Sequence, residues 1–157
     1  MPGEIEQRIQ KSMDQLHESA VRQAKSLGWV GVQYLRNAEL KVLSGQRSGR
    51  RYNVPGTGRV KYDKRTHTAA ITYRKYTASA PGEPPAVRTG VFRTSWQMRV
   101  EDQEDGVVLR LETAESRKGY PEYLENGTSR MAPRPYVQRI QDLAEPQIRR
   151  LYGSIRL

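Results

Sequence analysis

The stretch YPEYLENGTSRMAPRPY, residues 120–136, decides how the second half of this chain folds. Asn126-Gly127 is a turn signal, because both residue types tolerate the left-handed backbone conformation. Pro133 and Pro135 bound a stiff linker, and Pro135 suits the first turn of a helix, where its missing N–H costs nothing. The stretch therefore predicts a short strand or helix, a turn, a fixed connector, and a C-terminal helix that begins near Pro135.

A second stretch, APGEPPAVRTGVFRTSW, residues 80–96, has the same character. Its prolines fix their own φ angles and keep the residues before them out of the helical region. Residues 80–86 are therefore expected to be extended. Thr89-Gly90 then leads into an amphipathic element, which begins with a possible helical turn and continues as a strand.

Together the two stretches resemble one family. SAPGEPPA with the following Thr89-Gly90, and then YLENGTSRMAPRPY, is similar to the head–tail joining proteins of long-tailed bacteriophages, also called tail-completion or neck proteins, of the gene-ten-product type. The resemblance covers about a quarter of the chain and rests on the order and spacing of the two stretches between two helices. Asn126 departs from the pattern, since many relatives carry an aromatic residue there.

The resemblance implies a virion structural protein, assembled in the bacterial host cytoplasm, with no catalytic residues and no cofactor. Its copies are expected to form a ring, which contacts the connector or head-closure protein on one side and the tail-tube or tail-terminator protein on the other. Such a ring needs heterologous contacts, in which one face of a subunit docks on a different face of its neighbour. The resemblance assigns a structural role to Thr89, Gly90, Tyr123, Glu125, Gly127, Thr128 and Pro135.

The composition favours a small protein with a modest core. A chain of 157 residues suits a single domain, but only 36% of the residues are hydrophobic and one is Phe. Such a chain completes its burial against neighbouring subunits or stays partly disordered. It has no Cys, which excludes disulfides and thiolate chemistry. No apolar run approaches the roughly 18 residues of a membrane span, so no membrane partner is expected.

The net charge of +10 is concentrated in one segment. Residues 46–76 contain nine Lys and Arg against one acid, which is +8, whereas the rest of the chain has 18 basic and 16 acidic residues, which is +2. Tyr residues alternate with these cations. Such a segment suits non-specific contact with DNA in a channel, or an acidic surface on a protein, or simply a solvated hairpin. The candidate subunit or partner contacts are Arg50, Arg51, Arg59, Lys61, Arg65, Pro84, Pro85, Arg130 and Arg134.

The chain begins and ends with patterns typical of helices. From Glu4 to Leu43 apolar residues recur every three or four positions, and Gly28 and Gly31 are the expected place for a break or bend. A second helical pattern runs from Pro135 toward Tyr152, and Pro146 is expected to kink or divide it.

Between the helices the patterns favour strands. Residues around Val60 and Tyr62 are predicted to pair with residues 68–73, and residues 96–100 with residues 107–113 across an acidic turn. The predicted fold is α+β: a long N-terminal and a C-terminal helix packed on a small antiparallel sheet, with a basic loop or hairpin excursion. The predicted parts of a single domain, residues 1–157, are 1–44, 45–80, 81–134 and 135–157.

No residues suggest catalysis. His17 and His67 have no partner at a useful spacing, and the acidic run 101–105 lacks the ligand pattern of a calcium loop. Gly56-Thr57-Gly58-Arg59 lacks the spacing of a phosphate-binding loop. We therefore expect no enzyme activity, metal or cofactor. The leading interpretation is a neck protein of the virion, and the alternative is a non-specific DNA-binding protein that uses residues 46–76.

Within the second motif, two side-chain roles are expected. Tyr123 and Leu124 are predicted to be core residues. Glu125 is predicted either to form an ion pair with Arg130 across the turn or to contact a neighbouring subunit.

Overall fold

The computed structural model describes residues 2–114 and 119–155, and it has the α+β class that the sequence predicted. The predicted ranges 1–44, 81–134 and 135–157 each include a few residues outside this description. In chain order the elements are α1 (Pro2–Ser44), β1 (Arg51–Asn53), β2 (Arg59–Asp63), β3 (Thr68–Thr72), β4 (Lys75–Thr77), α2 (Val91–Thr94), β5 (Trp96–Gln103), β6 (Gly106–Thr113), α3 (Tyr120–Asn126) and α4 (Val137–Tyr152).

The chain divides into two compact units. The helical unit contains Met1–Glu39, Trp96–Ala114 and Ile140–Leu157, and the connector unit contains Leu40–Ser95 and Glu115–Arg139. The single domain expected from the chain length stays a prediction.

In the helical unit, α1 packs on the β5–β6 hairpin through its two glycines. A Cβ on Gly28 would lie 2.7 Å from Val100 Cγ1, and one on Gly31 would lie 2.6 Å from Leu109 Cδ1. Of the break or bend predicted at these glycines, the break is wrong, since α1 runs unbroken from Pro2 to Ser44. The glycines are present because the helix approaches the hairpin too closely for a side chain.

The β5–β6 hairpin confirms the predicted antiparallel pair. Trp96 pairs with Thr113 and Gln103 with Gly106, and the acidic turn lies at Glu104-Asp105. Along β5 the side chains of Trp96, Met98 and Val100 are partly covered and those between them are exposed. This period of two is what a hairpin with one covered face requires.

The C-terminal helix α4 begins at Val137, two residues after the predicted start, and Ile140 and Ala144 are its buried residues. Pro146 lies inside α4 and does not divide it, so that part of the prediction is wrong. The φ angle that proline requires is a helical one, so α4 continues through Pro146 although one backbone N–H is missing there.

The first turns of α1 have no covered side. Every residue from Gly3 to Glu18 is exposed, and covered positions begin at Ser19. Local bonds support this part of the helix, such as the one from Gln10 Nε2 to Asp14 Oδ1 at 2.9 Å. No helix in the described part of the chain is long and apolar enough to cross a membrane.

Candidate interaction surface

The basic segment forms a long hairpin, which we call the basic arm, residues 51–77. Its base is the β1–β4 pair, in which Tyr52 lies opposite Tyr76 with ring centroids 5.9 Å apart. Its outer part is the β2–β3 pair. All ten strand residues of this pair are exposed, so neither of its faces is covered. The predicted hairpin is confirmed, but its outer part has no core. A two-stranded hairpin without a packed face is only marginally stable alone in water.

The two faces of the outer arm differ in chemistry. Residues directly opposite in an antiparallel pair lie on the same face, and successive residues alternate between faces. Val60 therefore shares one face with Ile71, and Tyr62 with Ala69. The other face carries the cations, since Arg59 lies opposite Thr72 and Lys61 opposite Ala70.

The apolar face of the arm is open to solvent. The exposed fractions are 71% for Val60, 61% for Ile71 and 56% for Tyr62. The row continues toward the base, where a Cβ on Gly58 would lie 3.0 Å from Cε1 of the Tyr73 ring. Exposed apolar side chains grouped on one strand face are typical of a surface that binds a partner.

The two motifs that carry the family resemblance meet in the connector unit. The Gly82 N–H donates to the Pro133 carbonyl oxygen at 3.0 Å. Arg134 donates through Nη1 to the Ser79 carbonyl oxygen at 3.2 Å, and Arg139 through Nη2 to the Gly82 carbonyl oxygen at 2.9 Å. Two stretches about fifty residues apart in sequence are therefore joined by hydrogen bonds, and we call this contact the junction.

Glu83 organises the first of these stretches. Its carboxylate accepts hydrogen bonds from Ser48 Oγ at 2.6 Å, from the Ser48 N–H at 3.0 Å and from the Ala80 N–H at 2.8 Å. These bonds, with the Ser48 hydroxyl first, lower the pKa of Glu83 from about 4.5 to about 2. The carboxylate thus joins the chain before the basic arm to the chain after it.

Pro84 and Pro85, expected as partner contacts, are buried. The Pro84 carbonyl oxygen accepts from Ser79 Oγ at 2.6 Å, and the Pro85 carbonyl oxygen accepts from Arg47 Nη2 at 3.0 Å. Burial of the Arg47 guanidinium lowers its pKa. Both prolines therefore serve the packing of the connector unit and not its surface, which corrects the expected role.

Glu125 holds the start of α4. Its Oε2 accepts from the N–H groups of Tyr136 at 2.9 Å and Val137 at 3.2 Å, so a carboxylate lies at the positive end of the helix. No ion pair joins Glu125 to Arg130 in the part of the chain that the structure describes, so the first of the two expected roles is wrong. The Arg134 N–H donates to the Leu124 carbonyl oxygen at 2.8 Å, and this bond brings the start of α4 beside α3, where Glu125 meets its backbone N–H groups.

The Gly127 turn has the conformation that the sequence suggested. Gly127 has φ 76° and ψ −175°, and its N–H donates to the Tyr123 carbonyl oxygen at 3.0 Å. Thr128 then bridges to Met131. Leu124 is buried as predicted, but Tyr123 is 53% exposed, so its assignment to the core is wrong. Residues 120–126 form a helix, and adjacent helical residues point in different directions.

An aromatic cluster fixes α2 beside α3. The Phe92 ring meets the rings of Tyr120 and Tyr136 edge to face, at 5.8 and 5.5 Å between centroids. Tyr136 donates its hydroxyl to the Pro121 carbonyl oxygen at 3.2 Å, and burial raises its pKa. Gly90 (φ 89°) precedes α2, and Thr89 Oγ1 accepts from the Val91 N–H at 3.4 Å. Thr89 and Gly90 therefore fix the backbone conformation just before α2, which carries Phe92 of this cluster.

The remaining expected contact residues, except Arg134, are at the surface. Arg134 is half-buried in the junction. The exposed ones are Arg50, Arg51, Arg59, Lys61, Arg65 and Arg130. Within residues 2–114 and 119–155 no group of His, Asp and Glu is arranged to hold a metal ion. The structural roles of Arg47 and Glu83 were not predicted. The only signal for Glu83 was a charged side chain within a Pro-rich stretch, and Arg47 was counted only among the cations of residues 46–76.

No family model, curated protein or solved structure matches this chain.

Proposed function

We propose that this chain is a structural protein of a phage neck, which joins or completes the tail at the head–tail interface as a homo-oligomeric ring. The observation that carries the proposal is the outer basic arm, whose ten strand residues are all exposed while one face is apolar. An arm of this kind gains stability by packing on a partner.

The motif junction supports a structural role. The residues that carry the family resemblance are used for backbone geometry: Gly127 and Gly90 adopt positive φ, and Glu125 caps α4. A junction that fixes the chain on either side of the arm suits a subunit whose arm must be held in one direction. The junction would then serve as a scaffold, and the partners of the ring would be the connector or head-closure protein and the tail-tube or tail-terminator protein.

A second candidate function is non-specific binding to DNA. The observation in its favour is the cationic face of the arm, where Arg59 and Lys61 lie opposite the apolar row, with Arg50 and Arg51 exposed toward the base. Contacts with phosphates need positive charge and no base readout. DNA affinity that falls steeply as salt rises would favour this function, whereas a discrete oligomer without DNA favours the ring.

The test is a charge reversal in the phage that encodes the chain. Arg50, Arg51, Arg59 and Lys61 are changed together to Glu, and lysates are examined by electron microscopy. We expect full heads and separate finished tails, because the subunit folds but does not join them. The matched control changes four exposed cations outside residues 46–76 to Glu and should give wild-type particles: Lys11, Lys41, Arg88 and Arg150.

An unchanged yield of infectious particles from the arm variant would contradict the proposal. Deletion of the gene separates the two roles within the neck. Full heads with separate tails of normal length indicate joining, whereas tails of abnormal length indicate termination.

A further inference from the structure

The helical unit carries an exposed apolar stripe on the first turns of α1. Its members follow steps of four, four and three residues, which lays them on one side of the helix. Their exposed fractions are 64% for Ile5, 58% for Ile9, 60% for Met13 and 46% for Leu16. Since every residue from Gly3 to Glu18 is exposed, this stripe covers nothing in the helical unit.

An acidic turn lies at the inner end of this stripe. His17 follows Leu16, and its Nε2 is 3.5 Å from Oδ1 of Asp105 in the β5–β6 turn. Asp102, Glu104 and Asp105 are all exposed, while the nearby Glu101 is paired with Arg110 at 2.8 Å. One continuous surface of the helical unit therefore has an apolar row that ends in a group of carboxylates.

The charge of this surface is opposite to that of the basic arm. Arg22 and Lys25 line the groove beside Glu104, so they are counted with it. Residues 3–25 and 96–113 together contain nine acidic and six basic side chains, whereas residues 46–76 contain one acidic and nine basic. Opposite potentials of this kind favour encounter and fix the orientation of docking.

The dimensions of the two apolar rows also agree. From Ile5 to Leu16 the stripe is about 16 Å long at 1.5 Å per helical residue. From Gly58 to Tyr62 the row on the arm is about 13 Å long at 3.3 Å per strand residue. Lys64 and Arg65 lie in the turn beyond Tyr62. When the row on the arm is laid along the stripe with Tyr62 toward Leu16, these two cations fall beside the carboxylates at the end of the stripe.

We propose that the basic arm of one copy docks its apolar face along the Ile5–Leu16 stripe of a second copy, with the cations of its tip at the Asp102–Asp105 turn. The occupant is a second copy because both complementary surfaces belong to the same chain in equal number. The contact is heterologous, since arm meets helix, so it can be repeated around a ring. The inference rests on the proposed ring and names the contact that closes it.

Cross-linking tests the contact directly, because the chain has no natural cysteine. Full-length Ile9→Cys and Ile71→Cys proteins are purified separately, mixed, and treated with a short bis-maleimide. We expect a covalent dimer in the mixture that is at least tenfold more abundant than in either variant alone. The double variant should give a ladder of covalent oligomers that stops at the ring size. The same treatment is applied to particles that carry the double variant.

The controls place the cysteine on the opposite side of each element. Lys11 lies about 200° around the helix from Ile9 at 100° per residue, and Ala70 lies on the cationic face of the arm opposite Lys61. Mixtures of Lys11→Cys with Ile71→Cys, or of Ile9→Cys with Ala70→Cys, should give less than about a tenth of the dimer. Equal yields from the controls would show random collision and overturn the proposal.

Other outcomes separate this inference from the proposed function. A fast-migrating monomer from the double variant, with no dimer in the mixture, would mean that the arm contacts the helix of its own chain, and would overturn the inference. Particles that contain the chain without any arm–helix link would overturn it while the neck function stands. Particles that lack the chain would refute the neck function, and the cross-link in purified protein would still decide the contact.

Discussion

The Gly82 N–H lies 3.0 Å from the carbonyl oxygen of Pro133, and this bond joins the two Pro-rich stretches of the chain. Gly82 has φ 79°, so the first stretch turns sharply at this point and presents its N–H to the second. The bond gives a reason for the two motifs to occur together, since each one supplies a hydrogen-bond partner to the other. The bonds from Ser48 to Glu83 then tie the chain before the basic arm to the same Pro-rich stretch.

The Gly127 turn should be intolerant of a side chain. A Cβ there would lie 2.6 Å from the Met131 carbonyl oxygen and 2.8 Å from the Pro133 N, at a φ of 76°. We expect Gly127→Val to lower the free energy of unfolding by about 3 kcal/mol or more, measured by urea denaturation. Gly56→Val is the control, since Gly56 has a similar φ of 73° in open space and should lose only about 1 kcal/mol. A variant of Gly127 with wild-type stability would refute this account of the turn.

Glu83 should make the stability of the chain sensitive to acid. Its pKa is lowered from about 4.5 to about 2, so the folded state favours the carboxylate. The stabilisation is therefore complete above pH 4.5 and is lost as the pH falls toward 2. Thermal melting of the wild type and of Glu83→Gln should show a difference in Tm at pH 7 that persists at pH 5.5 and shrinks between pH 4.5 and 2. A difference independent of pH would contradict this prediction.

Glu125 should stabilise the start of α4. Its carboxylate accepts from two backbone N–H groups, those of Tyr136 and Val137. We expect Glu125→Ala to cost about 1–2 kcal/mol, as loss of a helix cap usually does. Glu122→Ala, which removes an exposed carboxylate from the same short helix, should change stability by less than about 0.5 kcal/mol. Equal losses in the two variants would refute the capping role.

Replacement of Gly28 should destabilise the chain, although replacing a glycine normally stabilises a helix. A larger residue than Gly favours the helix by about 1 kcal/mol, but a Cβ would lie 2.7 Å from Val100 Cγ1 and 3.2 Å from Val107 Cγ2. Because overpacking usually costs 1–3 kcal/mol, we expect Gly28→Leu to lose about 1–2 kcal/mol overall. Gln33→Leu, at an exposed position of α1, should be nearly neutral. A more stable Gly28→Leu would show that α1 does not pack closely on the hairpin.

Removal of the outer arm should leave the rest folded. Residues 59–72 are exposed throughout, so replacing them with Asn-Gly removes no core residue and keeps the β1–β4 base. We expect the shortened chain to keep its circular-dichroism spectrum and to melt within about 3 °C of the wild type. In native mass spectrometry we expect the wild type to give the oligomer of the proposed ring and the shortened chain to give a monomer. A shortened chain that keeps the oligomer would contradict the assembly role of the arm.

Much of the fold was predictable because local patterns fix local structure. The spacing of apolar residues predicted α1, and period-two alternation predicted the β5–β6 hairpin. The same reasoning was wrong where it expected a break at Gly28 and Gly31 or a division at Pro146, since both helices are continuous there. In α1 tertiary packing on Val100 and Leu109 outweighs the low helix propensity of glycine.

The charge of the candidate surfaces was predictable from the sequence, but the burial of their residues was not. Charge counting located the basic segment, since the positions of Lys, Arg, Asp and Glu are read directly from the sequence. It did not reveal that Pro84 and Pro85 are buried or that Tyr123 is exposed, because burial depends on which distant segment lies against a residue. The role of Glu83 was hidden for the same reason, since its partner Ser48 is 35 residues away.

By itself the sequence determined the α+β class, the long first helix, the hairpins, and the turn at Gly127. These depend on residues within a few positions of each other, through periodicity and backbone preference. Only the tertiary structure decided that the two Pro-rich motifs are bonded at Gly82 and Pro133, and that the arm and the first turns of α1 leave apolar faces uncovered. Hydrogen bonds and burial between distant segments depend on where the whole chain goes, which no local pattern specifies.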